Sequence, residues 1–408
     1  MKLIGGLAGA AGIVCLLSLV LLLTSGWALM AGYVPSDVEA FSSILFARQQ
    51  TPDGSTARNA HFYLSMVLVI AGFLYLLATY LAGSHIENRS RWWLAVSIYL
   101  LVLGFCFTGY LLPMDQNAYW GTVVRLGIVE TVPVIGPVIA QLLRGGGAFN
   151  ASTLPRFYAL HVAILPLLAI LLLLPLFRVF IARLEALRRP GLWSLVAVAA
   201  IVVLYWAVAS STAPLELRAD PSDTEYVPRP EWYFLWLFQL GKYVESLPWI
   251  ESLVVPVVGL TILYALAVLP RQTVALRLAV AATWIAVWTT LTGLALYEDR
   301  DLPPKMPYEL AMETRAEEAY KDLCLECHGA EGRGDGQRSL TFGLEARDFT
   351  QPEVWLEVSE AEMIRTTRDG KGENMPAFGR QLSYEEIVAI LAHMKTNFAP
   401  IENSPSVG

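Results

Sequence analysis

The sequence predicts an all-α protein, in which a polytopic transmembrane helical bundle is followed by a small helical domain. Two observations support this fold class. Of the 408 residues, 55% are hydrophobic and only 16% are charged, whereas soluble domains are nearer to a quarter charged. The sequence also contains apolar runs that reach the roughly 20 residues required for a membrane-spanning helix. We expect about seven helices from these runs, over residues 4–31, 61–83, 92–112, 157–182, 191–210, 249–269 and 274–296.

Basic residues in the short loops predict the orientation of the bundle. The loops after the second, fourth and sixth runs carry Arg89 and Arg91, the arginines between positions 178 and 189, and Arg271 with Arg277. These loops and the N-terminus are therefore expected on the cytoplasmic side, and the C-terminus on the outer side. No basic stripe lies outside the membrane flanks, so nothing in the sequence indicates nucleic-acid binding.

A haem-attachment motif lies beyond the last apolar run. Cys324, Cys327 and His328 form "CLECH", the C-x-x-C-H pattern in which two thioethers hold a porphyrin and the histidine binds its iron. A redox dithiol or half of a zinc site is the alternative, but a second cysteine pair is missing and the adjacent histidine favours haem. Met375 in "ENMPAFG" is the candidate second axial ligand, since a His/Met pair is common in c-type haem proteins.

The region from about Glu313 to Pro400 resembles a class I cytochrome c, with "GAEGRGDG" as its glycine-rich loop and "LSYEEIVAILAHMKTNF" as its C-terminal amphipathic helix. We therefore predict a transmembrane domain over 1–297, a Pro-rich linker over 298–311 and a cytochrome c domain over 312–408. Such haems are attached on the outer side of energy-transducing membranes. This implies a bacterial inner membrane with the cytochrome c domain in the periplasm.

Two histidines lie at similar depth near the outer ends of the second and fourth apolar runs. Ionisable groups inside a membrane are costly and usually functional. His61 and His161 are therefore predicted to clamp one haem iron from both faces. The alternative is two unrelated interfacial histidines. Arg58 and Arg156, just before them, are candidates to neutralise the haem propionates.

Several longer motifs resemble the cytochrome b of Rieske/cytochrome b complexes, the cytochrome bc-type quinol oxidoreductases. These motifs follow the family order, over residues 10–296. They are "YVPSDVEAFSSI", "GYLLPMDQNAYWG", "TLPRFYALH" and "RPEWYFLWLFQLGK". The resemblance implies a haem-binding part over 1–190 and a quinol-site part over 191–297. It also implies that Glu231 of the PEWY motif carries protons and that Tyr233 binds or gates the quinone.

The chain departs from the family at the inner haem. Members carry a second histidine fourteen residues after each of the first two, but those positions are Tyr75 and Pro175 here. Fourteen helical residues rise about 21 Å, so these positions belong to the inner side. Proline cannot ligate iron and also removes a helix hydrogen bond. We therefore expect one haem b and one haem c, without the electron bifurcation of a Q-cycle.

Three functions are compatible with these parts. The chain exchanges electrons between a quinone at the outer side and a periplasmic redox partner, in a homo-oligomeric or multi-subunit complex with a Rieske protein or another redox subunit. Alternatively, it is the quinone-coupled membrane anchor of a periplasmic dehydrogenase or reductase, or a scaffold without catalysis. Retention of PEWY, of CLECH and of the His61/His161 pair argues against the scaffold, and quinol oxidation is the favoured direction.

Overall fold

A computed structural model describes residues 2–50, 54–174, 191–270, 272–302 and 305–400. The described residues form helices and connecting segments, with two isolated bridges, Asp115 with Arg218 and Lys371 with Met375, as their β-type pairings. The predicted all-α fold class is therefore confirmed. The chain divides into two compact units, Met1–Pro304 and Lys305–Gly408.

The helices of the first unit follow the predicted apolar runs with shifted ends. They are α1 (Lys2–Met30), α2 (Ala40–Gln50), α3 (Gly54–Ala82), α4 (Ser84–Glu87), α5 (Arg89–Tyr110), α6 (Gln116–Glu130), α7 (Gly136–Arg144), α8 (Thr153–Ala159), α9 (Leu165–Leu173), α10 (Leu192–Ala209), α11 (Leu235–Tyr243), α12 (Val255–Ala265) and α13 (Val274–Asp299). A π-helical turn, Leu160–Ile164, joins α8 to α9, so these three segments form one continuous helix.

Five of the described helices are long and apolar enough to cross a membrane: Leu3–Met30, Gly54–Ala82, Arg89–Tyr110, Thr153–Leu173 and Val274–Asp299. The fifth and sixth predicted runs correspond to the shorter apolar helices Ser194–Val208 and Val255–Ala265. The end of the fourth run, beyond Leu174, lies outside the described residues. These helices and the family found below make the chain a multi-pass membrane protein.

Small side chains let the membrane helices approach closely, as expected where lipid gives no hydrophobic driving force. Helix α1 packs along α3 and against α10, and α3 packs against α5. Ala10, Ile13 and Ala197 are buried where α1 meets α10. Helix α5 in turn contacts α8, the π-helical turn and α9. This arrangement surrounds the space between α3 and the α8–α9 helix, where the two predicted haem ligands lie.

The bundle is packed with aromatic side chains around the end of α3 and the start of α5. Tyr80 and Trp92 are buried there, with Tyr75, Tyr99 and Tyr264 packed against them. The His85 side chain is also fully buried. Its ring lies 4.9 Å from that of Tyr80 and 5.5 Å from that of Trp92, centroid to centroid.

The second unit is a small helical domain. Its helices are α14 (Tyr308–Ala319), α15 (Leu325–His328), α16 (Gln337–Phe342), α17 (Pro352–Glu357), α18 (Glu360–Asp369) and α19 (Tyr384–Phe398). The predicted amphipathic helix is α19, which buries Ile387, Ile390, Leu391 and Met394. A capping box between Ser383 and Glu386 begins this helix, because each satisfies a backbone N–H of the other. Helices α13 and α14 both extend into the range 298–311 that the sequence predicts as a linker.

Candidate functional site

The two intramembrane histidines face each other across the bundle. His61 lies two turns inside α3, and His161 lies in the π-helical turn between α8 and α9. Their ring centroids are 6.1 Å apart, with an interplanar angle of 68°. A π-helical turn widens the helix locally and frequently marks a functional site.

Two hydroxyl groups orient these rings in the same way. His61 Nδ1 lies 3.1 Å from Ser25 Oγ, and His161 Nδ1 lies 3.1 Å from Thr108 Oγ1. Each hydroxyl donates its own proton to a carbonyl one turn earlier, Ser25 to Leu21 and Thr108 to Gly104. Because a hydroxyl has one proton to donate, Nδ1–H of each histidine must be the donor. Nε2 of each ring therefore keeps its lone pair.

A glycine follows each of these hydroxyl residues and lies against the same ring. A Cβ at Gly26 would lie 3.0 Å from Cε1 of His61, and a Cβ at Gly109 would lie 2.7 Å from Cε1 of His161. Real side chains avoid such close contacts. Helices α1 and α5 thus present the same device, a hydroxyl residue followed by glycine, behind each imidazole.

The two arginines predicted near the haem propionates bind backbone carbonyls in this structure. Arg58 donates from Nη1 to Ala213 O at 2.7 Å and from Nη2 to Pro214 O at 2.6 Å. Arg156 donates from Nη1 to Leu142 O at 2.8 Å. Both residues therefore tie the outer loops together, and their role toward a propionate stays a prediction.

The "GYLLPMDQNAYWG" motif binds the connection between α10 and α11. Gln116 Nε2 donates to Asp223 at 3.0 Å, and its Oε1 accepts from the Asp220 N–H at 3.0 Å. Asn117 Oδ1 accepts from the Arg229 N–H at 2.9 Å, and the Tyr110 hydroxyl donates to Arg229 O at 3.0 Å. These polar residues therefore hold the PEWY segment against the outer end of α5.

The PEWY motif is pinned between three helices. Glu231 precedes a 3₁₀ turn, Trp232–Phe234, that leads into α11. The ring of Trp232 lies 6.1 Å from that of Trp288 on α13. Tyr233 is buried and packs with Cys106 of α5 in one cluster. The sequence did not predict this contact.

A cavity of about 220 Å³ opens beside this motif. It is bounded by α5, α6, the PEWY segment, α11 and the start of α12. Its lining is Phe107, Gly121, Val124, Arg125, Ile128, Val129, Pro228, Pro230, Phe234, Leu237, Phe238 and Pro256. Pro230 and Phe234 bracket Glu231 and Tyr233, which stand behind this lining. An apolar cleft with a few polar groups is the usual form of a small-molecule site.

Three consecutive residues of α5 connect these features. Cys106 packs with Tyr233, Phe107 lines the cavity and Thr108 bonds His161. The cavity and the histidine pair therefore lie on two sides of one helix. A helix with its side chains is about 10–12 Å across, a short distance for electron transfer.

The cysteine motif of the second unit spans a π-helical turn and the short helix α15. Cys324 ends a π-helical turn, Tyr320–Cys324, and Cys327 lies in α15; both are free thiols. His328 Nδ1 lies 3.3 Å from Arg347 O. A carbonyl only accepts, so Nδ1 donates and Nε2 keeps its lone pair. Burial lowers the pKa of His328, which favours the neutral imidazole that binds metals.

Met375 lies in a tight turn of the same unit. The N–H of Lys371 donates to Met375 O at 2.9 Å, and the N–H of Met375 donates to Lys371 O at 3.3 Å. Gly370 begins the turn with φ +81°, where a Cβ would lie 2.7 Å from Met375 O. The backbone around Met375 is therefore held on both sides, and its side chain is half-buried.

Comparison with known proteins finds a family match for each of the two units. Residues 7–184 match the family described as "Cytochrome b/b6/petB", and residues 311–394 match "Cytochrome C oxidase, cbb3-type, subunit III". The chain is 36% identical over 153 residues to cytochrome b6 of Cyanidium caldarium, covering 37% of this chain and 71% of the relative. It is 35% identical over 165 residues to cytochrome b6 of Acaryochloris marina, covering 40% and 77%.

The chain belongs to the cytochrome b/b6 family. Its fold is also similar to a chain of a solved structure titled "Hyperthermophilic respiratory Complex III", with a TM-score of 0.59 and 20% identity, covering 73% of this chain and 85% of that one. The two family matches imply haem b in the first unit and covalently bound haem c in the second. This cytochrome b-type protein therefore takes part in electron transfer in a membrane.

The histidine pair fits a haem iron. The ring centroids are 6.1 Å apart, which leaves room for one ion that would take a metal–nitrogen bond of about 2 Å from each ring. Both Nε2 atoms keep lone pairs, and Gly26 and Gly109 keep side chains away from the rings. In this cytochrome b, His61 and His161 would hold the iron, which carries one electron at a time when bound.

The second unit likewise fits a c-type haem. Cys324 and Cys327 would supply the two thioethers, while His328 and Met375 would supply the axial ligands. Burial raises the pKa of the Cys324 thiol to about 11, so this thiol is protonated at neutral pH. The family match over residues 311–394 covers all four of these positions.

Of the two positions that depart from the family at the predicted inner haem, one lies among the described residues. Tyr75 stands where a second α3 histidine would lie, and its ring is 3.5 Å from the place of a Cβ at Gly12. Pro175, the other predicted departure, lies outside the described residues. Sequence reasoning missed Ser25, Thr108 and Arg125. The one available signal was the lone arginine in the apolar run "GTVVRLGIV".

Proposed function

We propose that this protein exchanges electrons between a quinol in the PEWY cavity and a periplasmic redox partner, through one haem b and one haem c. It does so without bifurcating electrons to an inner quinone site. The observation that carries the proposal is the position of α5 between the cavity and the histidine pair. A quinol bound against Phe107 would lie one helix diameter from a metal held by His161.

The residues around the cavity suit the chemistry of quinol oxidation. The quinol must release two protons as it gives up two electrons, and a carboxylate within reach accepts a proton well. Glu231 directly follows Pro230 of the cavity lining, so a turn of its side chain toward the cavity would bring the carboxylate to the head group. Tyr233 packs with Cys106 of α5 in one cluster, and this contact joins the start of α11 to α5.

A single haem b is favoured by the packing of the inner half of the bundle. The rings of Tyr75 and Tyr99 lie against Gly12 and Gly72, where small residues leave room between the helices. Tyrosine is an uncommon iron ligand. With no inner metal, an electron would face a gap on the order of 20 Å beyond the histidine pair, so the second route of a Q-cycle is closed.

The orientation and partners follow from the same proposal. Arg89 and Arg91 lie in the first turn of α5 and predict a cytoplasmic location for its start. This supports a position of the histidine pair and the cavity near the periplasmic side of a bacterial inner membrane. A quinone dissolved in the lipid supplies the electrons. A Rieske iron–sulfur protein or another periplasmic redox subunit, within a multi-subunit complex, receives them.

Haem quantification tests the proposal directly. Redox difference spectra of the purified protein should show one b-type and one c-type haem per chain, and a short-chain quinol should reduce both. A ratio of two b-type haems to one c-type haem would contradict the linear route. Failure of the quinol to reduce either haem would contradict quinol oxidation itself.

His161→Ala is the matched variant. It should abolish the b-type signal and leave the c-type signal unchanged, because His161 and His328 lie in different units. His393→Ala provides the control, since His393 lies on α19 and bonds Asn397 of the same helix. A b-type signal that survives His161→Ala would show that another residue binds the iron.

A further inference from the structure

Arg125 is the feature of the cavity that has no role in the proposed function. It lies on α6, and among the described residues that line the cavity it alone carries a charge. Its neighbours there are aliphatic, aromatic, proline or glycine residues. Placing a permanent cation in an apolar pocket costs free energy unless a partner compensates it.

The protein provides only a weak partner for this cation. The guanidinium carbon lies 4.0 Å from the centroid of the Tyr110 ring, a cation–π contact. Within the part of the chain that the structure describes, Arg125 makes no hydrogen bond and no ion pair. An aromatic face leaves the N–H donors of a guanidinium unused. Those donors are therefore available to a molecule in the cavity.

Arg125 and Glu231 act on the same region from two elements. Both interact electrostatically with the hydroxyl groups of Tyr110 and Tyr233. Arg125 reaches the cavity from α6, while Glu231 follows Pro230 in the PEWY segment. A head group in the cavity thus has a cation on one side and a carboxylate nearby on another.

We propose that Arg125 binds an oxygen of the quinol head group and favours its anionic, singly deprotonated form. This inference rests on the proposed function. In the step concerned, the quinol O–H bond breaks, its electron pair stays on the ring oxygen and the proton bonds to the Glu231 carboxylate. The negative charge then faces Arg125, whose charge-assisted hydrogen bonds to it are stronger than those to a neutral oxygen.

Arg125→Gln tests this role in the full chain. The rate of haem b reduction by a short-chain ubiquinol or menaquinol is measured by stopped flow from about pH 5.5 to pH 9. Near neutral pH, we expect a rate constant at least about tenfold lower than that of the wild-type protein. The limb of the profile that rises with pH should also move to higher pH, because a bound quinol without the cation is less acidic. Arg125→Lys keeps the charge and should keep the profile.

The controls separate this role from a structural one. Arg89→Gln removes the exposed arginine that begins α5 and should leave both the rate and the pH profile unchanged. Equal haem b content in all variants excludes a folding defect. If Arg125→Gln loses haem b, Arg125→Met is compared with Arg125→Lys instead. The pH profile of haem b reduction should then shift in Arg125→Met and stay unchanged in Arg125→Lys.

Two outcomes overturn the inference, and they are distinguishable. If the wild-type protein oxidises quinol and Arg125→Gln matches it within twofold over the whole pH range, Arg125 has no such role and the proposed function stands. If the wild-type protein shows no haem b reduction by quinol at any pH, and Glu231→Gln behaves identically, the proposed function fails and the role of Arg125 fails with it.

Discussion

At the scale of single residues, the site is built by pairs that play the same part on two helices. Each helix supplies a hydroxyl that accepts a hydrogen bond from the imidazole and a glycine that leaves room for the ring. The pairs are Ser25 with Gly26 on α1 and Thr108 with Gly109 on α5. The acceptor fixes which nitrogen of the imidazole carries the proton. Such supporting contacts commonly change metal affinity 10- to 100-fold when they are removed.

Gly109→Ala should therefore remove haem b. A Cβ at this position would lie 2.7 Å from Cε1 of His161, whereas a Cβ at Gly104 on the same helix meets nothing within 4 Å. Gly104→Ala is the control and should keep the full b-type spectrum. Measured by the pyridine haemochrome, a b-type content in Gly109→Ala equal to that of Gly104→Ala would contradict this account of the glycine.

Met375→Leu should lower the reduction potential of haem c without removing the haem. A methionine axial ligand raises the potential of a c-type haem, while attachment depends on Cys324 and Cys327. Potentiometric titration at the c-type absorption band measures the change. The b-type midpoint in the same sample is the internal reference. An unchanged c-type midpoint would mean that another residue is the axial ligand.

At the scale of elements, the sequence predicted that the membrane helices exist, but only the structure showed where they begin and end. The apolar runs predicted α1, α3, α5 and α13 directly. The start of α3 at Gly54 was missed, because the turn "GSTARNA" before the apolar run is polar and reads as a loop. In a membrane, lipid-facing and core-facing side chains are equally apolar, so periodicity does not indicate which face of α6 carries Arg125 to a cavity.

The pairing of the two histidines was predicted from their depth, and the residues that support them were not. His61 and His161 stand out because imidazole is rare in apolar runs. Ser25 and Thr108 do not, because hydroxyl residues are common in membrane helices, where they often bond their own backbone. The π-helical turn at Leu160–Ile164 has no signal in the composition of the apolar run.

The end of α3 provides a prediction at the same scale. Gly83 has φ +82°, and a Cβ there would lie 2.0 Å from Nη1 of Arg277 on α13. Gly83→Ala should therefore destabilise the first unit by about 1–2 kcal/mol for the left-handed backbone, with the displacement of Arg277 added. Gly32→Ala, after α1, meets nothing within 4 Å and is the control. Thermal unfolding followed at the b-type absorption band should separate them.

At the scale of the whole molecule, the chain combines a cytochrome b bundle and a cytochrome c domain in one polypeptide. The fold class and both family relationships were predictable, because CLECH, PEWY and the helix motifs are long and specific patterns. The chemistry of the cavity was less predictable, since the cavity is formed by four separate segments of the chain. Family likeness at 20% identity to the Complex III chain establishes the fold, so the route of the electrons must be measured.

Removing haem c while keeping haem b tests whether that route is linear. In Cys324→Ala/Cys327→Ala, quinol should still reduce haem b, because the cavity, α5 and the histidine pair all lie in the first unit. Steady-state reduction of a soluble periplasmic acceptor should fall at least about tenfold, because the electrons have no second centre to pass through. Stopped-flow reduction of haem b and acceptor turnover, measured on the same membranes, separate the two steps. Acceptor turnover that continues at the wild-type rate would show that electrons leave the bundle without passing through the second unit, as they would to a Rieske-type partner docked at the PEWY cavity.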